Sequence, residues 1–340
     1  MRRSSRWRKP GSVLLLVCSW IGSPVAGTAL LAHAQQKTWR PEKPVEIVVP
    51  AAPGGAVDAT ARLLQKLMQQ NRWVDTPVLV VNRAGGGGNV ALSYLDQRAG
   101  DGHYLLNSTM GLMTNHILGL SKTTYTDYTP VAILYGEYMT VVVRPGSALK
   151  TALDVQDRLK ADPQSLNIAI GVSVGGTNYL TIALLTKAMG IDVKKLKTVV
   201  FQSNSQAVTA LMGGHVDIAT LSTAAALHAT EQGQLRIIGI TADRRGEGTL
   251  ARVPTFREQG YDLVFSNTRF LIGPRGMTPA QTAYWDTILE RVVQNEEWKA
   301  DLAKDQSMAD YVGSRRAGER LAALNRQLRG ALADAGLAKD

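Results

Sequence analysis

Cysteine is nearly absent from this chain of 340 residues, where Cys18 stands alone. It falls within an N-terminal leader, so the exported chain is expected to have no thiol, no disulfide and no cysteine metal ligand. A chain of this length buries enough surface to do without disulfides. Histidine is scarce as well. His103, His116, His215 and His228 are scattered, without the His-x-x-x-His spacing or carboxylate clusters of a metal centre. No Lys/Arg run interleaved with aromatics occurs, so no nucleic-acid partner is expected. The glycine run at 85–88 has neither a following Lys-Ser/Thr nor a dinucleotide fingerprint, and no cofactor is expected.

The leader is residues 1–34. Arg2, Arg3, Arg6, Arg8 and Lys9 make a basic start, an apolar stretch begins at Val13, and Ala32-His33-Ala34 offers small residues for cleavage near Ala34/Gln35. Ser19, Gly22, Ser23, Pro24 and Gly27 interrupt the apolar stretch, which argues against a retained membrane anchor. Removing the leader takes five positive charges from a formal net charge of +10. The remaining mild excess favours encounter with acidic solutes. A periplasmic location follows.

Beyond the leader, short β-branched runs alternate with helical patterns. Strands are expected at 45–49, 77–81, 104–107, 131–143, 166–170, 199–201, 218–219 and 235–240. Helices are expected at 89–97, 151–160 and 178–189, with a helical tail at 282–295, 298–305 and 318–335. Such alternation predicts an α/β protein with mostly parallel sheets covered by helices. Two sets of strands suggest two doubly wound lobes: residues 35–141 with 266–340, and residues 142–265. Ligands of these folds sit at the carboxyl ends of the strands.

Three strand-to-helix loops carry the candidate chemistry. In the first, Pro53-Gly54-Gly55-Ala56-Val57-Asp58, the glycines let backbone N–H groups approach an anion at a helix start. Asp58 either faces a ligand group or caps the helix. The second, Gly85-Gly86-Gly87-Gly88-Asn89, reads as an anion nest or as a turn capped by Asn89. The third, Gly171-Val172-Ser173-Val174-Gly175, matches the nucleophile elbow Gly-x-Ser-x-Gly and raises an exported serine hydrolase as the alternative function. That reading lacks a histidine where such enzymes place one, and it lacks a His-Gly-Gly oxyanion segment.

Taken in order, these segments resemble the periplasmic solute receptors of tripartite tricarboxylate transporters, the Bug proteins. The resemblance rests on Pro44-Val45-Glu46-Ile47-Val48-Val49-Pro50 with Pro53-Gly54-Gly55 and Asp58, and on Asn82-Arg83-Ala84-Gly85-Gly86-Gly87-Gly88-Asn89. Ala99-Gly100-Asp101-Gly102-His103-Tyr104, Asp127-Tyr128-Thr129-Pro130-Val131 and Leu211-Met212-Gly213-Gly214-His215-Val216-Asp217 continue it. It ends through Val253-Pro254-Thr255 and Gly273-Pro274. The resemblance implies a two-lobed Venus-flytrap fold without catalysis, which holds a small organic acid between the lobes and delivers it to membrane permease subunits or to a sensor. A monomer is expected.

Mapped residue by residue, the resemblance points to Ala52, Gly54, Gly55, Asp58, Ser108 and Thr109 on the first lobe. On the second it points to Gly175, Gly176, Thr177, Asn178, Ser203 and Ser222. Three departures stand out. Asn178-Tyr179 replaces the family's usual Ser-His, Leu221 stands where an Asp is common, and Thr268-Arg269 replaces a Trp-Phe pair. Arg269 is a candidate to fork onto a ligand carboxylate if it faces the cleft, or else a solvated strand residue.

Overall fold

Val45–Val49 forms strand β1, and four of its five residues are buried. Strands covered on both faces read as continuous apolar runs, which is why this one shows no alternation. The computed structural model describes residues 39–171 and 174–339; the leader lies outside them. After β1 come α1 (Ala56–Gln70), β2 (Val78–Asn82), α2 (Asn89–Asp96), β3 (Tyr104–Thr109), α3 (Gly111–Ile117) and β4 (Thr129–Val143). Then follow α4 (Ala152–Ala161), β5 (Asn167–Gly171), α5 (Thr177–Ala188), β6 (Lys197–Phe201), α6 (Asn204–Met212), β7 (Ile218–Ser222) and α7 (Thr223–Glu231). The chain closes with β8 (Arg236–Ile240), β9 (Ser266–Gly273), α8 (Pro279–Gln294), α9 (Glu296–Lys304), β10 (Val312–Gly313) and α10 (Ser314–Asp334).

The strands make two mixed sheets that share β4. In the first, β2, β1 and β3 run parallel, β9 is antiparallel to β3 and β4, and β10 borders β4. In the second, β6, β5 and β7 run parallel, and β4 lies antiparallel between β7 and β8. The handover falls within β4: Tyr138 is opposite Ser266 of β9, whereas Met139 is opposite Ser222 of β7. An α/β fold with two sheets agrees with the sequence reading.

Helices cover the sheets through apolar stripes. On α1, Ala61, Leu64, Leu67 and Met68 are buried at helical spacing, which fits one face turned to the core. Helix α8 begins with a capping box between Thr278 and Gln281 and has Pro279 in its first turn, an arrangement that satisfies orphan N–H groups at the start. Its Trp285 is fully buried and donates through Nε1 to the Gly102 carbonyl at 2.9 Å. Among the described residues no helix is long and apolar enough to cross a membrane.

Candidate functional site

Five helices begin at one cavity. Its lining includes Ala56, Gly111, Thr177 and Asn204, the first residues of α1, α3, α5 and α6, and Ser222, which precedes α7. The cavity holds about 390 Å³ and draws its walls from both strand sets. Each helix start presents unpaired N–H groups and the positive end of a dipole. At α1, α5 and α7 no side chain caps those groups, because the preceding residues are Gly55, Gly176 and Ser222 with no side-chain acceptor in use, whereas at α3 Thr109 Oγ1 accepts from Gly111 N at 3.2 Å. The free N–H groups can therefore bond to an anion.

Of the residues singled out from sequence, Thr109, Gly176, Thr177, Asn178, Ser222 and Arg269 line this cavity. Ser108 and Thr109 border a smaller chamber of about 130 Å³ with Gly87, Gly88 and Asn115. The two spaces have Thr109 and Gly111 in common. The glycine run has a backbone reason: Gly85, Gly86, Gly87 and Gly88 all have positive φ, a region costly for residues with a Cβ. Asn89 is the first residue of α2 and makes no cap bond.

Other expected residues do different work. Asp58 is turned into the protein. It is 2% exposed, and its oxygens accept from Gly54 N at 2.9 Å, Asn82 Nδ2 at 2.9 Å and Arg62 Nε at 2.8 Å. The Arg62 guanidinium, followed by the Gly54 N–H, holds its carboxyl down to about 2. Asp58 thus shapes the first loop from inside, and the Asp-x-x-x-Arg spacing was the signal for it. Ala52, Gly54 and Gly55 are exposed and lie outside the cavity wall. Ser203 caps α6 by accepting from Gln206 N at 3.2 Å, and its neighbour Asn204 reaches the cavity instead. Gly175 is buried, and a Cβ there would meet Leu118 Cδ1 at 2.8 Å. Val172 and Ser173 lie outside the described residues, and with them the serine of the elbow.

Asn178 is buried and donates to Asn204 Oδ1 at 2.6 Å and to the Gly171 carbonyl at 3.3 Å. These two side chains press so closely on Gly171 that a Cβ there would lie 2.0 Å from Asn204 Oδ1. Leu221 is fully buried in the core.

Arg269 is not solvated. It is 5% exposed and donates through Nη2 to Glu137 Oε2 at 2.9 Å, while its Nε is buried without a partner. Asn267 Nδ2 donates to the same Oε2 at 3.0 Å. Ala56, Glu137, Met139, Asn204 and Asn267 also line the cavity and were not singled out from sequence. For Asn204 the Ser203-x-x-Gln206 helix start was a usable signal. For Glu137 none was, because strand pairing across a long stretch of chain brings it to Arg269. Among the described residues no cluster of His, Cys, Asp and Glu is able to hold a metal.

The family model described as tripartite tricarboxylate transporter family receptor matches residues 60–335. Protein BugT of Bordetella pertussis is 29% identical over 268 residues, covering 76% of this chain and 78% of its own. A TctC solute binding protein from Polaromonas, solved with no ligand, superposes with a TM-score of 0.75 at 22% identity, covering 86% of this chain and 98% of its own. MatC of Rhodopseudomonas palustris, solved with bound malate, has a TM-score of 0.66 at 25% identity and covers 88% and 100%. These likenesses lend nothing to the hydrolase alternative.

Proposed function

This chain belongs to the tripartite tricarboxylate transporter receptor family, and we propose on that basis that it captures a small carboxylate outside the cytoplasm. The leader 1–34 is removed on export. Residues 35–141 with 266–340 form one lobe, and residues 142–265 the other. Closure of the lobes over the acid precedes its transfer to permease subunits of the same transporter type, without chemical change.

The observation that carries this reading is the meeting of uncapped helix starts at one cavity, at Ala56, Thr177 and Ser222. Several uncapped N–H groups converging on one point form a charge-assisted cradle for a carboxylate. Bound malate in MatC supports the same class of ligand. The test is a thermal-shift screen of the purified chain against acids of two to six carbons. A true ligand at a hundredfold its Kd stabilises by about 2.7 kcal/mol. A panel that leaves the melting temperature unmoved refutes the carboxylate reading.

A further inference from the structure

Among the described residues, Glu137 is the one acidic side chain lining the cleft, and Arg269 the one basic. Their charges offset one another, so the field left in the cavity comes from the helix starts and favours anions. A carboxylate placed in such a site gives up, through that offset, the attraction that Arg269 alone would add for a simple acid. Its position is nonetheless well fixed. Glu137 sits on β4 opposite Asn267 of β9, and Arg269 is on the same face two residues further along β9. Both donors that reach Glu137 converge on Oε2. Oε1 receives neither, and the residue borders the cavity. An ionised carboxylate oxygen accepts hydrogen bonds and never donates, so any ligand group that bonds Oε1 is a donor.

We infer that the cleft selects acids bearing an ammonium group beside the carboxylate, that is, amino acids over their unsubstituted counterparts. Glu137 Oε1 takes the ammonium, and the uncapped starts of α1 and α5 take the carboxylate. The inference rests on the carboxylate-receptor reading and narrows it. In this arrangement Glu137 determines specificity, and Asn267 and Arg269 hold its carboxylate in place through Oε2. A pocket built to pair a polar ligand group discriminates strongly against analogues that lack it, because its own polar group is then left unmatched. If Glu137 served only to orient Arg269, its removal would weaken all acids alike.

Calorimetric titration of the purified chain with three matched pairs separates the cases: alanine and propionate, aspartate and succinate, glutamate and glutarate. At the chain length that binds, the amino acid is expected to bind at least tenfold more tightly, and Glu137→Gln is expected to shrink that ratio below threefold. Equal affinities within each binding pair overturn the inference and leave the receptor reading standing, as does a ratio unchanged in Glu137→Gln. If the wild-type chain binds none of the six, the inference falls, and the wider acid panel decides the receptor reading by itself. The wild-type ratio needs no variant, so a Glu137→Gln chain that fails to fold leaves the test in force.

Discussion

Arg269 of β9 and Glu137 of β4 meet diagonally across the sheet at 2.9 Å, and both are largely hidden from solvent. Breaking a buried pair leaves one charge uncompensated and costs far more than replacing both partners. Arg269→Ala is therefore expected to lower unfolding free energy by about 3 kcal/mol. The double change Arg269→Leu with Glu137→Leu is expected to recover most of that while abolishing ligand binding. Urea denaturation of the two chains measures the difference; equal losses would show that the pair contributes little as a pair.

Gly171 has its α-carbon against the Asn178–Asn204 amide pair. Gly171→Ala puts a methyl 2.0 Å from Asn204 Oδ1 and 2.7 Å from Asn178 Nδ2. It is expected to cost about 1–3 kcal/mol through overpacking and to weaken ligand binding tenfold or more by displacing both amides. Gly146→Ala, where a Cβ meets nothing within 4 Å, serves as the control and is expected to change neither. Melting temperature and titration of the two variants side by side decide the matter.

Asp58 links stability to acid pH. Its carboxyl titrates near 2 in the folded chain, against an ordinary value of about 3.9 when unfolded. A group depressed by folding contributes fully above its unfolded value, and the contribution disappears as pH falls through the folded one. The stability gap between wild type and Asp58→Asn is therefore expected to be constant above about pH 5 and to close between pH 4 and 2. Hydrogen bonds to a charged group set the plateau at about 2 kcal/mol. Denaturant titrations at half-unit pH steps would expose a gap that persists at pH 2, which would contradict the pairing.

The parts of the site legible in sequence are those set by neighbours along the chain. Pro53-Gly54-Gly55, Ser108-Thr109 and Gly176-Thr177-Asn178 announce strand-to-helix turns by composition, and the structure puts Thr109 and the last of these at the cavity wall. The helix at Gly111–Ile117 was harder to see, since Met110 before it offers no cap and Thr109 Oγ1 bonds Gly111 N from two residues back. Glu137 and Asn267 were illegible for a different reason. Which face of a strand meets the cleft depends on register, and β4 shifts register against β9 twice before reaching Tyr135. Period-two patterning cannot anticipate such irregularities. For Arg269 the sequence left a cleft residue and a solvated one both open, since arginine is usually exposed, and its burial depends on Glu137 in a strand laid down far earlier in the chain.

Strand β4 is one unbroken ribbon of 15 residues serving both sheets, so neither half can shift as a free body. A rotation of one sheet against the other has to bend this ribbon, and its partners change where Tyr138 gives way to Met139. Glu137 and Met139, which flank that point, both touch the cavity. The segment where β4 changes partners is therefore itself part of the cavity wall, with no intervening layer between them.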